Sequence, residues 1–211
     1  MSDDYRNTKY CPDLTDIQAK KKEVQTLILS QHSRAKDMHT YISDNNMPFK
    51  KEFVKAYNGK CAYCGVSLDI LSWKLFEIDH FIPKEDSRFK SKKEAGYIEN
   101  LVLSCYDCNR SKRDFVVPDK AQEKVYPDGD YIKKSFVRDD NYYIRISDVL
   151  KEDADIQSFY KQLDLANESH RLDYLLMNMR GLQQKIKDKP TAYSLLGEAI
   201  DLLQRKRNLS H

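Results

Sequence analysis

The sequence predicts an α+β chain, on three observations. Both ends carry leucine-rich stretches at helical spacing, the middle carries short β-like runs, and two Cys-x-x-Cys pairs bracket that middle. With 211 residues and only 6 glycines and 6 prolines, the chain has room for a real core, either as one decorated domain or as a small domain with helical flanks. A third of the residues are charged and the mean hydropathy is −0.75, so the surface is well hydrated. The net charge of +3 is too mild to announce a polyanionic partner by itself. No apolar run approaches the about 18 residues of a membrane helix. The polar opening "MSDDYRNTKY" carries no signal-peptide pattern, so the expected setting is the cytoplasm, with no membrane partner. In that reducing compartment five cysteines are better metal ligands than disulfides.

Three regions separate on texture, residues 1–58, 59–117 and 118–211. In the first, Leu14, Ile17, Val24, Leu27 and Ile28 recur at helical steps and Thr15 is placed to cap. The segment "NNMPF" interrupts this, and Pro48 is suited to open a second helix that runs to Tyr57. In the second, Phe76 to Phe81 and Leu101 to Ser104 read as strands and "CNRSKRD" as the start of a helix. In the third, two β-like runs flank Asp139-Asp140-Asn141 and predict a hairpin. Helical spacing resumes from Asp155, through Phe159, Leu163, Leu172, Leu175, Leu176, Met179, Leu182 and Ile186. Pro190 breaks it, and Thr191 is placed to cap a last helix through Leu203.

Cys61-Ala-Tyr-Cys64-Gly65 and Cys105-Tyr-Asp-Cys108 can each grip one ion from a tight turn, and four thiolates satisfy tetrahedral zinc. Such an ion would pin the two ends of the segment between the pairs. Cys11 stands alone and reads as an ordinary small residue. Inside the pinned segment lies "KLFEIDHFIPK", where Glu77, Asp79 and His80 interrupt an apolar run. Strand alternation puts Glu77 and Asp79 on one face and His80 on the other. So much charge has no use in a packed core and points to a reactive site.

Four elements in chain order, Cys61-x-x-Cys64-Gly65, Asp79-His80-x-x-Pro83-Lys84, Asn100-Leu101-Val102-Leu103 and Cys105-x-x-Cys108-Asn109-x-x-Lys112, resemble the HNH (ββα-metal) endonucleases over about residues 60–114. The resemblance implies a small ββα-metal core with zinc knuckles, flanked by N-terminal helices and a C-terminal hairpin plus helices. It also implies roles. His80 would be the general base that activates water, and Asp79 a ligand of the catalytic cation. Asn100 would steady the loop between the strands. Asn109 stands where many members have their last histidine and would be the second ligand, which favours Mg²⁺ or Mn²⁺ over zinc at that site. Lys112 would lie near the phosphate as a point charge, on one helical face with Asn109 and Arg113. Phosphodiester hydrolysis needs such a base and such a cation.

Glu77 could orient His80 or be an exposed strand residue. His32, His39, His170 and His211 share no metal spacing and read as surface or packing residues. Lys84, Arg88, Lys90, Lys92 and Lys93, then Arg110, Lys112 and Arg113, could track a phosphate backbone, although Glu85, Asp86 and Glu94 dilute the loop. Tyr126, Tyr131, Phe136, Tyr142 and Tyr143 could stack bases or fill a hairpin core. Arg205, Lys206 and Arg207 read as a charged helix end. The segment "FYKQLDLANESHRLDYLLMNMRGL" is similar to the HNH effectors of Septu-type and retron-associated anti-phage systems, which implies an ABC-like ATPase as partner. DNA is the expected substrate. RNA cleavage by the same site, and a zinc-stabilised nucleic-acid-binding module without catalysis, stand as alternatives.

Overall fold

The computed structural model describes residues 4–44 and 48–209. Asn45, Asn46 and Met47, where the sequence places a helix break, and His211 lie outside the described residues. The N-terminal region forms three helices, α1 (Ile17–Gln31), α2 (Met38–Ile42) and α3 (Phe49–Ala56). Helix α1 buries Ile17, Lys21, Val24 and Ile28, one face at steps of three and four residues. Thr15 does not cap it; the cap position is Asp16, in a left-handed conformation (φ 54°) that offers no side-chain bond. Pro48 occupies the cap position of α3, close to the expected start.

The chain turns at Asn58 and Gly59, both at positive φ, and enters the middle region. Strands β1 (Phe76–His80) and β2 (Leu101–Cys105) pair antiparallel, from Phe76 opposite Cys105 to His80 opposite Leu101. Helix α4 (Tyr106–Lys112) leaves β2 with no linker, since Cys105 is both the last strand residue and the helix cap, and it packs on both strands. This is the expected ββα unit. The helix begins two residues before Cys108. Arg113 lies beyond its end at φ 51°, and so does not share the helical face of Asn109 and Lys112.

Beyond it come two helices that the sequence pattern does not mark, α5 (Asp119–Val125) and α6 (Ile132–Ser135), and then the expected hairpin, β3 (Phe136–Arg138) with β4 (Ile144–Ile146). Helices α7 (Ala154–Gln162), α8 (Glu168–Lys185) and α9 (Pro190–Leu209) complete the chain. Pro190 opens α9 instead of preceding a Thr191 cap, because a proline costs nothing at the first helical position, where the N–H has no partner anyway. The helix runs on to Leu209, six residues past the expected end. One apolar cluster runs from Tyr5 to Leu165 and includes all four paired cysteines, so flanks and middle share a core. No described helix is long and apolar enough to cross a membrane.

Candidate active site and metal centres

The two knuckles converge. The sulfurs of Cys61, Cys64, Cys105 and Cys108 lie within 4.8 Å of one another and all four residues are buried. Cys64 Sγ and Cys105 Sγ are 3.8 Å apart, and sulfurs about 2.3 Å from a shared zinc ion stand about 3.8 Å apart. The first knuckle is shaped by Gly65 at φ 82°, and the Tyr63 N–H points to Cys61 Sγ at 3.4 Å. A side chain at Gly65 would run into the main chain of Arg6. Hydrogen bonds from Cys108 pull Cys105 down, but those with Cys61 and Cys64, and burial, push it well up. Four buried sulfurs at this spacing fit structural zinc.

His170, expected at the surface or in packing, is buried and hydrogen-bonded to Cys64. Burial works against its charged form, but the Cys64 charge and hydrogen bond outweigh it and raise the imidazole. Behind it, Asp173 Oδ1 accepts from Arg207 Nε at 2.9 Å. Arg207 is therefore not part of an exposed charged terminus; it is 7 % exposed and ties α9 to α8 beside the zinc-type site.

On β1 the expected alternation holds. Glu77 and Asp79 face α4. The Asn109 amide donates to Glu77 Oε2 at 2.5 Å, and Arg110 stands 3.9 Å from Glu77 Oε1. Asp79 is 6 % exposed; its Oδ2 accepts from Tyr63 Oη at 2.6 Å and its Oδ1 from Lys112 Nζ at 3.1 Å. Burial pushes the Asp79 carboxyl up, against the pull of Lys112 and Tyr63. Lys112 also donates to the His80 carbonyl at 2.7 Å and is wholly buried. That corrects its expected role. With no exposed surface it cannot meet a phosphate, and it serves as counter-ion and strut beneath β1.

His80 closes β1 and its side chain lies on the opposite face from Asp79, half-buried. Burial, then the neighbouring His39 and Lys84, push its imidazole down from 6.5 to about 4. His39 from α2 faces it, ring centroids 4.5 Å apart. His39 reads from the sequence as a surface or packing residue, and at 41 positions from His80 no local spacing could join the two histidines. His32, by contrast, does pack, against Tyr41 and Phe49.

Asn100 sits one residue before β2 and holds the turn that follows His80. Its Oδ1 accepts from the Ile82 N–H at 2.8 Å, and its Nδ2 donates to the Ile82 and Ala95 carbonyls at 2.9 and 2.8 Å. Phe81 N–H also bonds the Asn100 carbonyl at 2.8 Å. The basic loop is partly self-neutralised, Arg88 by Asp86 and Asp119 and Lys92 by Glu85. Of the five aromatic candidates Phe136 is core, while Tyr131 and Tyr142 are exposed.

Hard oxygen donors therefore gather on one face of β1. Each Asp79 oxygen keeps a lone pair beyond its present bond, Glu77 adds a second carboxylate, and Asn109 adds an amide. That set suits Mg²⁺ or Mn²⁺. Residues 61–115 match the family model described as HNH endonuclease. A 96-residue stretch is 32 % identical to the Septu protein PtuB of Bacillus mycoides (strain KBAB4), covering 37 % of this chain and 32 % of that protein. The match spans about a third of the relative's length. No solved structure matches the chain. The knuckles, the antiparallel pair, the helix and the family match coincide on one segment: residues 61–115 are an HNH endonuclease domain.

Proposed function

We propose that this chain is a metal-dependent endonuclease that hydrolyses phosphodiester bonds in DNA, as the effector of an anti-phage system controlled by a partner ATPase. The observation that carries the hydrolytic reading is that the end of β1 carries an imidazole, His80, on one face and hard oxygen donors, Glu77 and Asp79 beside Asn109, on the other, within four residues of strand. Asp79 and Asn109, joined by Glu77, would hold a divalent cation, which supplies charge neutralisation at the scissile phosphate. His80 takes the proton from the attacking water. It is neutral at pH 7, and a phosphate beside it raises its affinity for that proton. Asn100 keeps the Phe81–Ile82 turn, and with it the His80 main chain, in place. Lys112 favours the charged form of Asp79 against its burial and ties it to the His80 carbonyl, so base and ligand move as one piece. The defence role and the partner rest on the likeness to PtuB and on the C-terminal helical segment.

The test incubates supercoiled plasmid and tRNA with the zinc-loaded chain and Mg²⁺, Mn²⁺ or EDTA, for wild type and His80→Ala. Metal-dependent nicking of plasmid that vanishes in the variant is expected. Cutting of tRNA alone would move the substrate to RNA with the same residues. Full metal-dependent cutting by His80→Ala would remove His80 as the base. If neither substrate is cut, the assay is repeated on the complex co-purified with the ATPase. Silence there would favour a binding module.

A further inference from the structure

Helix α2 lies outside residues 61–115, yet it closes over the end of β1 through two anchors. Asp37, at its N-terminal cap, packs so closely on Gly96 that a Cβ at position 96 would overlap the carboxylate. The Asp37 Oδ2 also accepts from Thr40 Oγ1 at 3.0 Å. The second anchor is His39 itself, whose side chain reaches toward the Ile78 main chain. Held in this way, the His39 ring faces the His80 ring at 4.5 Å with the planes inclined by 37°.

The two contacts do different things. The approach to Ile78 sets His39 against the strand two residues before His80. The ring contact then uses that fixed imidazole as a wall. A histidine at a strand end, with the exposed Lys84 beyond it, would otherwise be free to turn about χ1 and χ2. A base must present one ring nitrogen to one water, and displacement by about 1 Å can cost about 100-fold in rate. Two rings inclined by 37° meet face against face at an angle and not edge to edge, so the contact need not occupy the ring nitrogens.

We propose that His39 is a positioning residue for the reaction: set on α2 over the end of β1 with its ring against that of His80, it holds the His80 imidazole in a single rotamer with its edge open to the attacking water. The inference rests on the reading of His80 as the base, and it reaches outside the family segment for the residue that makes that base effective.

Two measurements on the full zinc-loaded chain test it. The first is the NMR spectrum of ¹⁵N-histidine-labelled protein, in which the His80 signal is the one that His80→Ala removes. Wild type is expected to show one sharp His80 ring resonance displaced by the His39 ring current, and His39→Ala to lose the displacement and broaden or split the signal. The second is plasmid cleavage. His39→Ala is expected to lower kcat about 10- to 100-fold with KM unchanged, and His39→Phe, which keeps the wall, to recover part of it. Unchanged zinc content and unfolding midpoint guard against misfolding, and His39→Phe alone serves if His39→Ala does not fold. An unaltered His80 signal in His39→Ala overturns the inference whatever the activity. Wild-type kcat in His39→Ala, with His80→Ala inactive, overturns it and leaves the base assignment standing. Full cutting by His80→Ala with loss in His39→Ala overturns both, and makes His39 the base.

Discussion

Two buried side chains set the stability of the site. Removing one partner of a buried ion pair strands the other charge, at a cost of about 3–5 kcal/mol. Lys112→Met is therefore expected to destabilise the chain by about that much in urea unfolding, and adding Asp79→Asn to restore a good part of it, because the pair is then gone rather than broken. His80 predicts the pH response. Its folded-state pKa is about 4 against 6.5 for the free group, so between those values the unfolded chain binds a proton that the folded chain refuses. Stability should fall as pH drops from about 6.5 to about 4. His80→Gln should flatten that part of the curve, read as the difference between variant and wild-type unfolding midpoints so that effects on the cysteines cancel. At this scale the sequence was informative about which residues matter and less so about where they face. Asn109 and Lys112, three apart, do share a helical face, but spacing along α4 cannot say that β1 rather than solvent covers it. Glu77 was ambiguous for the same reason, since only the fold shows Asn109 opposite it.

Among the elements, the knuckles carry the most. Zinc binding is folding free energy, so a chelator, Cys61→Ser or Cys108→Ser should each unfold the domain, seen as lost near-UV dichroism with less than one zinc per chain. Gly65→Ala should cost more than about 1 kcal/mol, because φ is 82° there and the added carbon meets Arg6. Strands β1 and β2 and helix α4 were legible because their patterns are local, although α4 starts two residues before the expected Cys108. The start of α1 was misplaced by one residue because Asp16, left-handed at φ 54°, takes the cap position without a side-chain bond, which capping propensity does not anticipate. The start of α9 was misplaced because a proline ends one helix and opens another with equal ease.

On the scale of the whole molecule the C-terminal helices are joined to the metal centre. Arg207 on α9 reaches Asp173 on α8, Asp173 neighbours His170, and His170 reaches Cys64. Arg207→Ala leaves Asp173 buried without its cation, so it should weaken zinc retention as well as stability, measured by competition with a chromogenic chelator. Leucine spacing foretold that α8 and α9 pack. It could not foretell that a lysine- and arginine-rich helix end would turn one of its arginines inward, since the acid that draws it there lies 34 positions away.

The N-terminal arm adds a constraint in time. Arg6 donates to the Ala62 carbonyl at 2.6 Å and the Pro127 carbonyl at 2.7 Å, Tyr5 Oη to the Tyr63 carbonyl at 2.5 Å, and Arg138 Nε to the Tyr5 carbonyl at 2.8 Å. The last bond spans 133 positions, so at about 5–20 residues per second of synthesis the arm waits roughly 7–27 s for its final partner. During synthesis the arm can meet the first knuckle as soon as Ala62 and Tyr63 are made, but it is locked only when Pro127 and Arg138 arrive, after residues 61–115 are complete.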